Sequence, residues 1–490
     1  MSSLLFQNAT IVTPDKILRR GFVLIERGRI RAVGTGVAKV HPRRGAVQTI
    51  DASDGLLVPG YTDLQVNGAK GEEFSQSPVE KYDGIVRHFV AHGATAMLAT
   101  VLTDTPDNML EAIRRVGAYR ESGSEYADAV IGIHVEGPFL NPQRRGAHPQ
   151  HLLRKTDVKE VRRWLRAAPD AIRMVTLAPE LEGAQKVIRL LHDAGVVVAA
   201  SHSLADYRCM AESVKNGLSF VTHVGNTTDW PYRKEQPGGW LGAEPGVVGS
   251  FLCMEELSGS VILDGFHFHP AMLGPILRCK GTEKVALITD AAFVAGLPPG
   301  MYRKGKEKVT VTPQGYTVGR RRGWLAGSLL TMDRAVRNAV CLAGVSLAEA
   351  VTMATVSPTK VLGLAKKGRI APGYDADVLI VNSDLNVKMT VRGGRLYKSQ
   401  VGNAAVSAAV ARASRPRCRG QDAPATAGKM PAVRKSSTAH QGKEQPRLGG
   451  AKRRNHYESQ CACRFDFNRH CAVRGRRGGR SAAGPSAGSA

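Results

Sequence analysis

The chain has 490 residues, 43% of them hydrophobic, which is enough for a large core and too long for one ordinary domain. Aromatic residues make up only 6%, so the sequence offers no stacking platform for nucleic acid. The formal charge of +26 is uneven: residues 401–490 hold 18 Lys+Arg against 4 Asp+Glu, leaving 50 basic and 38 acidic residues, a net +12, for the first 400.

The first residues, MSSLLFQNATIVTPD, lack a basic start followed by a long apolar run, so no signal peptide is read. No apolar stretch approaches the roughly eighteen residues a spanning helix needs. A cytoplasmic protein without membrane contact is expected. Cys209, Cys253, Cys279 and Cys341 are scattered singly, the usage of a reducing compartment.

Residues 1–58 contain short strands with turns, as in Gly21-Phe22-Val23-Leu24-Ile25 and Gly28-Arg29-Ile30. From residue 59 onward, short β-branched runs alternate with amphipathic stretches. The strands are expected at Tyr61–Val66, Thr95–Ala99, Ile131–Val135, Ile172–Leu177, Val196–Ala200, Leu218–Thr222, Ser260–Leu263 and Val285–Thr289. Helical patterns cover Val79–His92, Asp157–Ala168, Glu182–Ala194 and Met332–Ala343. Eight strands alternating with helices predict an α/β fold, a (β/α)8 TIM barrel over 59–368. No Gly-x-Gly-x-x-Gly turn follows the first strand, which argues against a doubly wound open sheet.

Residues 369–400 return to β patterning, with Val378-Leu379-Ile380-Val381 and a strand pair around Val387–Tyr397. A barrel brings its ends close together, so 1–58 and 369–400 are expected to build one small β-sandwich domain. Residues 401–490, rich in Ala, Gly, Ser, Pro and Arg, have no apolar periodicity and are expected to be a disordered basic tail. Its Cys461-Ala462-Cys463 and His470-Cys471 fit no zinc-knuckle spacing. A nucleic-acid binder acting through this tail is the alternative from another function class, and it is the weaker one.

Polar residues follow four of the apolar runs directly: Glu136, His202, His223 and Asp290. In a TIM barrel, residues at the C-terminal strand ends face one shared site. Two imidazoles and a carboxylate can ligate one divalent metal such as zinc and leave a position open for water. Asp290 can then take the water's proton and deliver it to a leaving amine. Singly, each has a bland reading: a satisfied structural histidine, a turn at Glu136-Gly137-Pro138, or a helix cap at Asp290. Their joint placement favours the site.

Several strings carry a closer likeness: Gly132-Ile133-His134-Val135-Glu136-Gly137-Pro138, Arg145-Gly146-Ala147-His148, Thr176-Leu177-Ala178-Pro179-Glu180, Ser201-His202-Ser203, Thr289-Asp290-Ala291 and Leu325-Ala326-Gly327-Ser328. In this order they resemble the N-acetylglucosamine-6-phosphate deacetylases, and Val58-Pro59-Gly60-Tyr61-Thr62-Asp63 resembles the wider amidohydrolase superfamily. The resemblance implies a metal-dependent hydrolase that removes the acetyl group of an amino-sugar phosphate, working as a homodimer. It implies Glu136, His202 and His223 as metal ligands, Asp290 as general base and acid, and His148 at the acyl oxygen. Leu325, Ala326 and Gly327 would line the acetyl pocket. Ala147, Asn226, Thr227, Asp264, Gly265 and His267 would hold the sugar, with His267 reaching a neighbouring subunit's site.

Two departures stand out. Where much of the superfamily has a His-x-His pair on the first strand, this chain has Gln65-Val66-Asn67, which implies one metal per chain. Where the family has an arginine for the phosphate, this chain has Ala243, preceded by the loop Asp229–Leu241. Arg233 or Lys234 is expected to supply that cation. Without it, an unphosphorylated N-acyl sugar becomes the alternative substrate.

Overall fold

A computed structural model describes residues 3–14, 16–38, 47–53, 55–228, 232–235, 241–304, 307–319 and 325–398. The expected tail at 401–490 lies outside these.

Eight parallel strands form the central sheet: β1 (Tyr61–Val66), β2 (Ala94–Leu102), β3 (Val130–Glu136), β4 (Ile172–Leu177), β5 (Val197–Ala200), β6 (Leu218–Val221), β7 (Ser258–Val261) and β8 (Val285–Leu287). Each strand pairs with its neighbour in chain order, as βα crossovers dictate. All eight fall where the hydrophobic runs predict them. β7 starts and ends two residues earlier than expected, and β8 stops at Leu287 rather than Thr289.

The early end of β8 has a physical cause. The seam between β1 and β8 is closed by single contacts beyond the regular ladder: Asp290 N–H donates to Gln65 O at 2.9 Å, and Asn67 N–H to Ala291 O at 3.1 Å. Below them, buried Asp63 accepts from the Thr289 hydroxyl at 2.6 Å and the Thr289 amide at 3.2 Å. Thr289 therefore bonds a side chain where a ladder would need backbone.

The helices α1 (Tyr82–Ala91), α2 (Pro106–Glu121), α3 (Val158–Ala167), α4 (Ala184–Asp193), α5 (Tyr207–Lys215), α6 (Val247–Cys253) and α7 (Leu273–Lys280) cover the outside. Their apolar stripes face the sheet: α4 buries Val187, Ile188 and Leu191. Their starts are marked locally. Thr105 caps α2 before Pro106, and Asp206 caps α5 by accepting the Cys209 amide at 2.8 Å. Such caps contribute about 1 kcal/mol each. Among the described residues no helix is long and apolar enough to cross a membrane.

Strands from both ends of the chain join in one mixed eight-stranded sheet. Its centre is Leu56–Pro59, antiparallel to Val378–Val381 on one side and parallel to Ser3–Val12 on the other. Phe6, Ile11, Val23, Ile25, Leu57, Val378 and Val391 form a core separate from that of the barrel. Pro59 and Gly60 lead straight from this sheet into β1, and Gly60 N–H bonds Asp377 O at 2.9 Å. A three-stranded sheet not foreseen from the sequence follows β8, at Gly300–Lys304, Glu307–Val311 and Thr317–Val318.

Candidate metal and active site

The strand ends place the polar residues together. Glu136 is the last residue of β3, opposite Leu102 of β2 and Thr176 of β4. His202 follows β5, His223 follows β6 and Asp290 follows β8. All three have left-handed backbone, with φ of 49°, 35° and 46°. This is costly for residues bearing a Cβ and is found where surrounding structure enforces it, often at functional sites.

Glu136 is the hub. Its Oε1 lies 2.9 Å from His223 Nε2 and 3.4 Å from His202 Nε2, and its Oε2 lies 3.6 Å from His148 Nε2. The ligand atoms of Glu136, His148 and His202 all lie within 4.8 Å of one another. His148, assigned by resemblance to the acyl oxygen, thus stands close enough to share a cation with the two predicted ligands. His202 Nδ1 lies 2.9 Å from the Arg144 carbonyl. A carbonyl only accepts, so Nδ1 carries the proton and the Nε2 lone pair is free for a metal. His223 Nδ1 lies 3.1 Å from the Ser201 hydroxyl, which orients the ring and can either donate or accept. The donor set therefore fits a divalent cation.

The electrostatics follow from burial and the shared carboxylate. Burial disfavours an ionised Glu136, but its contacts with His148, His202 and His223 outweigh it and hold the carboxyl well below the usual range. Burial drives His202 down to about 4. His223 is buried too, yet its closer contact with Glu136 leaves it raised. Burial and the nearby Glu136 charge push Asp290 up to about 6.

Asp290 is held by the two amides at the end of the first barrel strand. Gln65 Nε2 donates to its Oδ1 at 3.0 Å and Asn67 Nδ2 to the same oxygen at 2.8 Å. Sequence reasoning treated Gln65 and Asn67 only as poor ligands and missed this role; the single available signal was their place at a strand end.

The remaining predicted residues fall into three groups. Ala147, Asn226, Thr227 and His267 line a cavity of about 440 Å³ together with Glu136, His148, His202, His223 and Asp290. Leu325, Ala326 and Gly327 line it from the opposite chain segment, beside Phe293 and Val309, which the sequence did not suggest. Asp264 and Gly265 do not line the cavity. Asp264 braces it instead, with Oδ2 2.7 Å from His267 Nδ1. Arg233 and Lys234 sit on a strand, Tyr232–Glu235, antiparallel to Leu241–Glu244, and Arg233 is directly opposite Ala243. Their side chains lie outside the described residues.

Buried His134, two residues before Glu136, is a core histidine: Nδ1 lies 3.0 Å from Leu64 O and Nε2 2.8 Å from the Thr176 hydroxyl.

The amidohydrolase family model matches residues 277–397. The chain is 32% identical over 398 residues to the N-acetylglucosamine-6-phosphate deacetylase of Bacillus subtilis, covering 80% of this chain and 97% of the relative. It is also 32% identical over 386 residues to the N-acetylgalactosamine-6-phosphate deacetylase of Escherichia coli O157:H7, covering 78% of this chain and 98% of that protein. A solved structure of the Mycobacterium smegmatis N-acetyl-D-glucosamine-6-phosphate deacetylase, a variant in complex with N-acetyl-D-glucosamine-6-phosphate, superposes with a TM-score of 0.72. It shares 31% identity, covering 81% of this chain and 99% of that one. With its barrel, its strand-end site and relatives matched over nearly their whole length, the chain belongs to the N-acetylglucosamine-6-phosphate deacetylase family of metal-dependent amidohydrolases.

Proposed function

We propose that the chain hydrolyses the acetamide of N-acetylglucosamine 6-phosphate, giving glucosamine 6-phosphate and acetate in amino-sugar catabolism. The observation that carries this is Asp290, held by two amides in the same buried cavity as the Glu136 cluster. In this reading Glu136, His202 and His223 hold one divalent metal, with zinc our choice, which supplies Lewis acidity and a water of lowered pKa. Asp290 accepts the attacking water's proton and passes it to the leaving nitrogen; an elevated pKa suits a group that must do both. His148 donates a hydrogen bond to the acyl oxygen as charge develops there. Leu325, Ala326 and Gly327 enclose the acetyl methyl. Ala147, Asn226 and Thr227 bind the sugar, and His267, braced by Asp264, binds the sugar or its phosphate.

The phosphate cation comes, in this reading, from Arg233 or Lys234. The pairing of Arg233 with Ala243 supports it, since directly opposed residues share one face of a hairpin. A charge-assisted bond to phosphate is worth roughly 1.5–3 kcal/mol, about tenfold to a hundredfold in affinity. The test is the ratio of kcat/KM for N-acetylglucosamine 6-phosphate over N-acetylglucosamine, in wild type and in R233A/K234A. The ratio is expected to fall by about that factor. A wild type without phosphate preference would move the substrate to an unphosphorylated N-acyl sugar.

We further propose a cytoplasmic homodimer; His267, expected to reach a neighbouring subunit's site, lines this chain's own cavity instead. The exposed Phe266 beside it, packed on Tyr316 at 4.9 Å, supports the dimer, and the free thiols support a reducing compartment. Residues 1–58 with 369–400 are proposed as a domain distinct from the barrel at 59–368, supported by a core of its own around Phe6, Val23, Leu57 and Val391, while Val58, Leu379 and Val387 join the barrel's core. The partner is a small molecule, with no part assigned to nucleic acid.

A further inference from the structure

Glu180 follows β4 and does not line the cavity, yet its carboxylate gathers three donors from two different loops. Oε1 accepts from Asn141 Nδ2 at 2.8 Å and from the Leu204 amide at 2.7 Å, and Oε2 accepts from the Ser203 hydroxyl at 2.6 Å. Ser203 and Leu204 are the two residues after His202. Asn141 lies on the other side: its backbone N–H donates to the His202 carbonyl at 2.9 Å.

Asn141 also shapes the partner of the His202 ring. Its Oδ1 accepts the Gln143 amide at 2.9 Å and its carbonyl accepts the Arg144 amide at 2.9 Å, which folds the turn Pro142–Arg144. The carbonyl of Arg144 then receives His202 Nδ1 at 2.9 Å. One carboxylate thus anchors both the peptide and the imidazole of a residue whose backbone, at φ 49°, needs outside support to persist.

We infer that Glu180 is the positioning residue for His202, fixing its left-handed backbone and aiming its Nε2 at the metal. This rests on the reading of His202 as a ligand. Glu180 acts on the metal only through Asn141, Ser203 and His202, so its loss must appear in metal binding and not only in fold stability. A carboxamide in its place keeps the size but turns an NH2 towards donors.

The experiment is Co²⁺ titration of metal-free full-length protein, read by the visible ligand-field absorption, alongside thermal unfolding of the same metal-free samples. E180Q is expected to weaken Co²⁺ binding about 10- to 100-fold, as for other groups that orient a ligand from behind, and to change the absorption band. A merely structural Glu180 would lower the unfolding temperature while leaving Co²⁺ affinity and spectrum at wild-type values, and that result overturns the inference. Should E180Q fail to fold, N141A takes its place with the same two outcomes, since it removes the side-chain bond to Glu180 and the Oδ1 acceptor of the Gln143 amide while leaving the backbone bonds to His202 and Arg144 in place. H202Q separates the two levels. Tight stoichiometric Co²⁺ binding by H202Q would show that His202 is no ligand. Its loss in H202Q with unchanged binding in E180Q would refute the role of Glu180 alone.

Discussion

Gly146 measures how tightly the site is packed. It has φ +54°, and a Cβ built on it would lie 3.0 Å from His202 Cε1 and 3.1 Å from Thr227 Cγ2. Carbon atoms in contact sit about 3.5–4.0 Å apart, so in G146A the imidazole must retreat by about 0.5 Å. It cannot do so freely, because Nδ1 is tied to the Arg144 carbonyl. Metal–ligand distances tolerate about 0.2 Å, so a shift of this size is expected to cost at least tenfold in metal affinity, or about 1.4 kcal/mol. The left-handed backbone adds a separate cost of about 1–2 kcal/mol to stability. Gly195 isolates that second cost: it has φ +73°, and a Cβ there would meet nothing within 4 Å. Denaturant unfolding and metal titration on G146A and G195A should therefore show similar stability losses but weakened metal binding only in G146A. Wild-type metal affinity in G146A would refute the claim that the His202 ring is boxed in.

D290N is expected to keep its metal and lose about 10²- to 10⁴-fold in kcat, the range for a positioned acid–base group; near-normal turnover with metal retained would reduce Asp290 to a structural part. Asp333 provides a pH prediction away from the site. Burial opposes its charge, but His92 at 3.0 Å and the Thr331 hydroxyl at 2.6 Å bring it from 3.8 to about 2. Its folded pKa is the lower one, so this stability is complete above about pH 4 and is lost as the pH falls towards 2. In D333N the unfolding free energy should fall less steeply between pH 4 and pH 2 than in wild type, and an identical slope would count against the pair.

The parts legible in the sequence were those governed by short-range patterning. Runs such as Ala286-Leu287-Ile288-Thr289 ending in Asp290 mark strand ends, and a barrel converges such ends without further information. The site's support was not legible, because it joins distant or featureless groups. Gln65 and Asn67 meet Asp290 across more than 220 positions of chain. The Arg144 carbonyl that fixes the His202 tautomer is backbone and carries no residue signature. The left-handed φ of His202, His223 and Asp290 is equally silent, since glycine, the usual marker, is absent at all three. The three-stranded sheet at Gly300–Val318 went unread because its strands are only two to five residues long, too short for a period-2 pattern to emerge.

Acetate release from N-acetylglucosamine 6-phosphate, measured against bound metal, tests the central claim most directly. Protein stripped by a chelator should be inactive, and activity should return linearly as divalent metal is added, levelling at one equivalent per chain, because the proposed ligands Glu136, His202 and His223 share one carboxylate while Gln65 and Asn67 are engaged with Asp290. Full activity in the stripped protein, or a plateau reached only at two equivalents, would contradict the account.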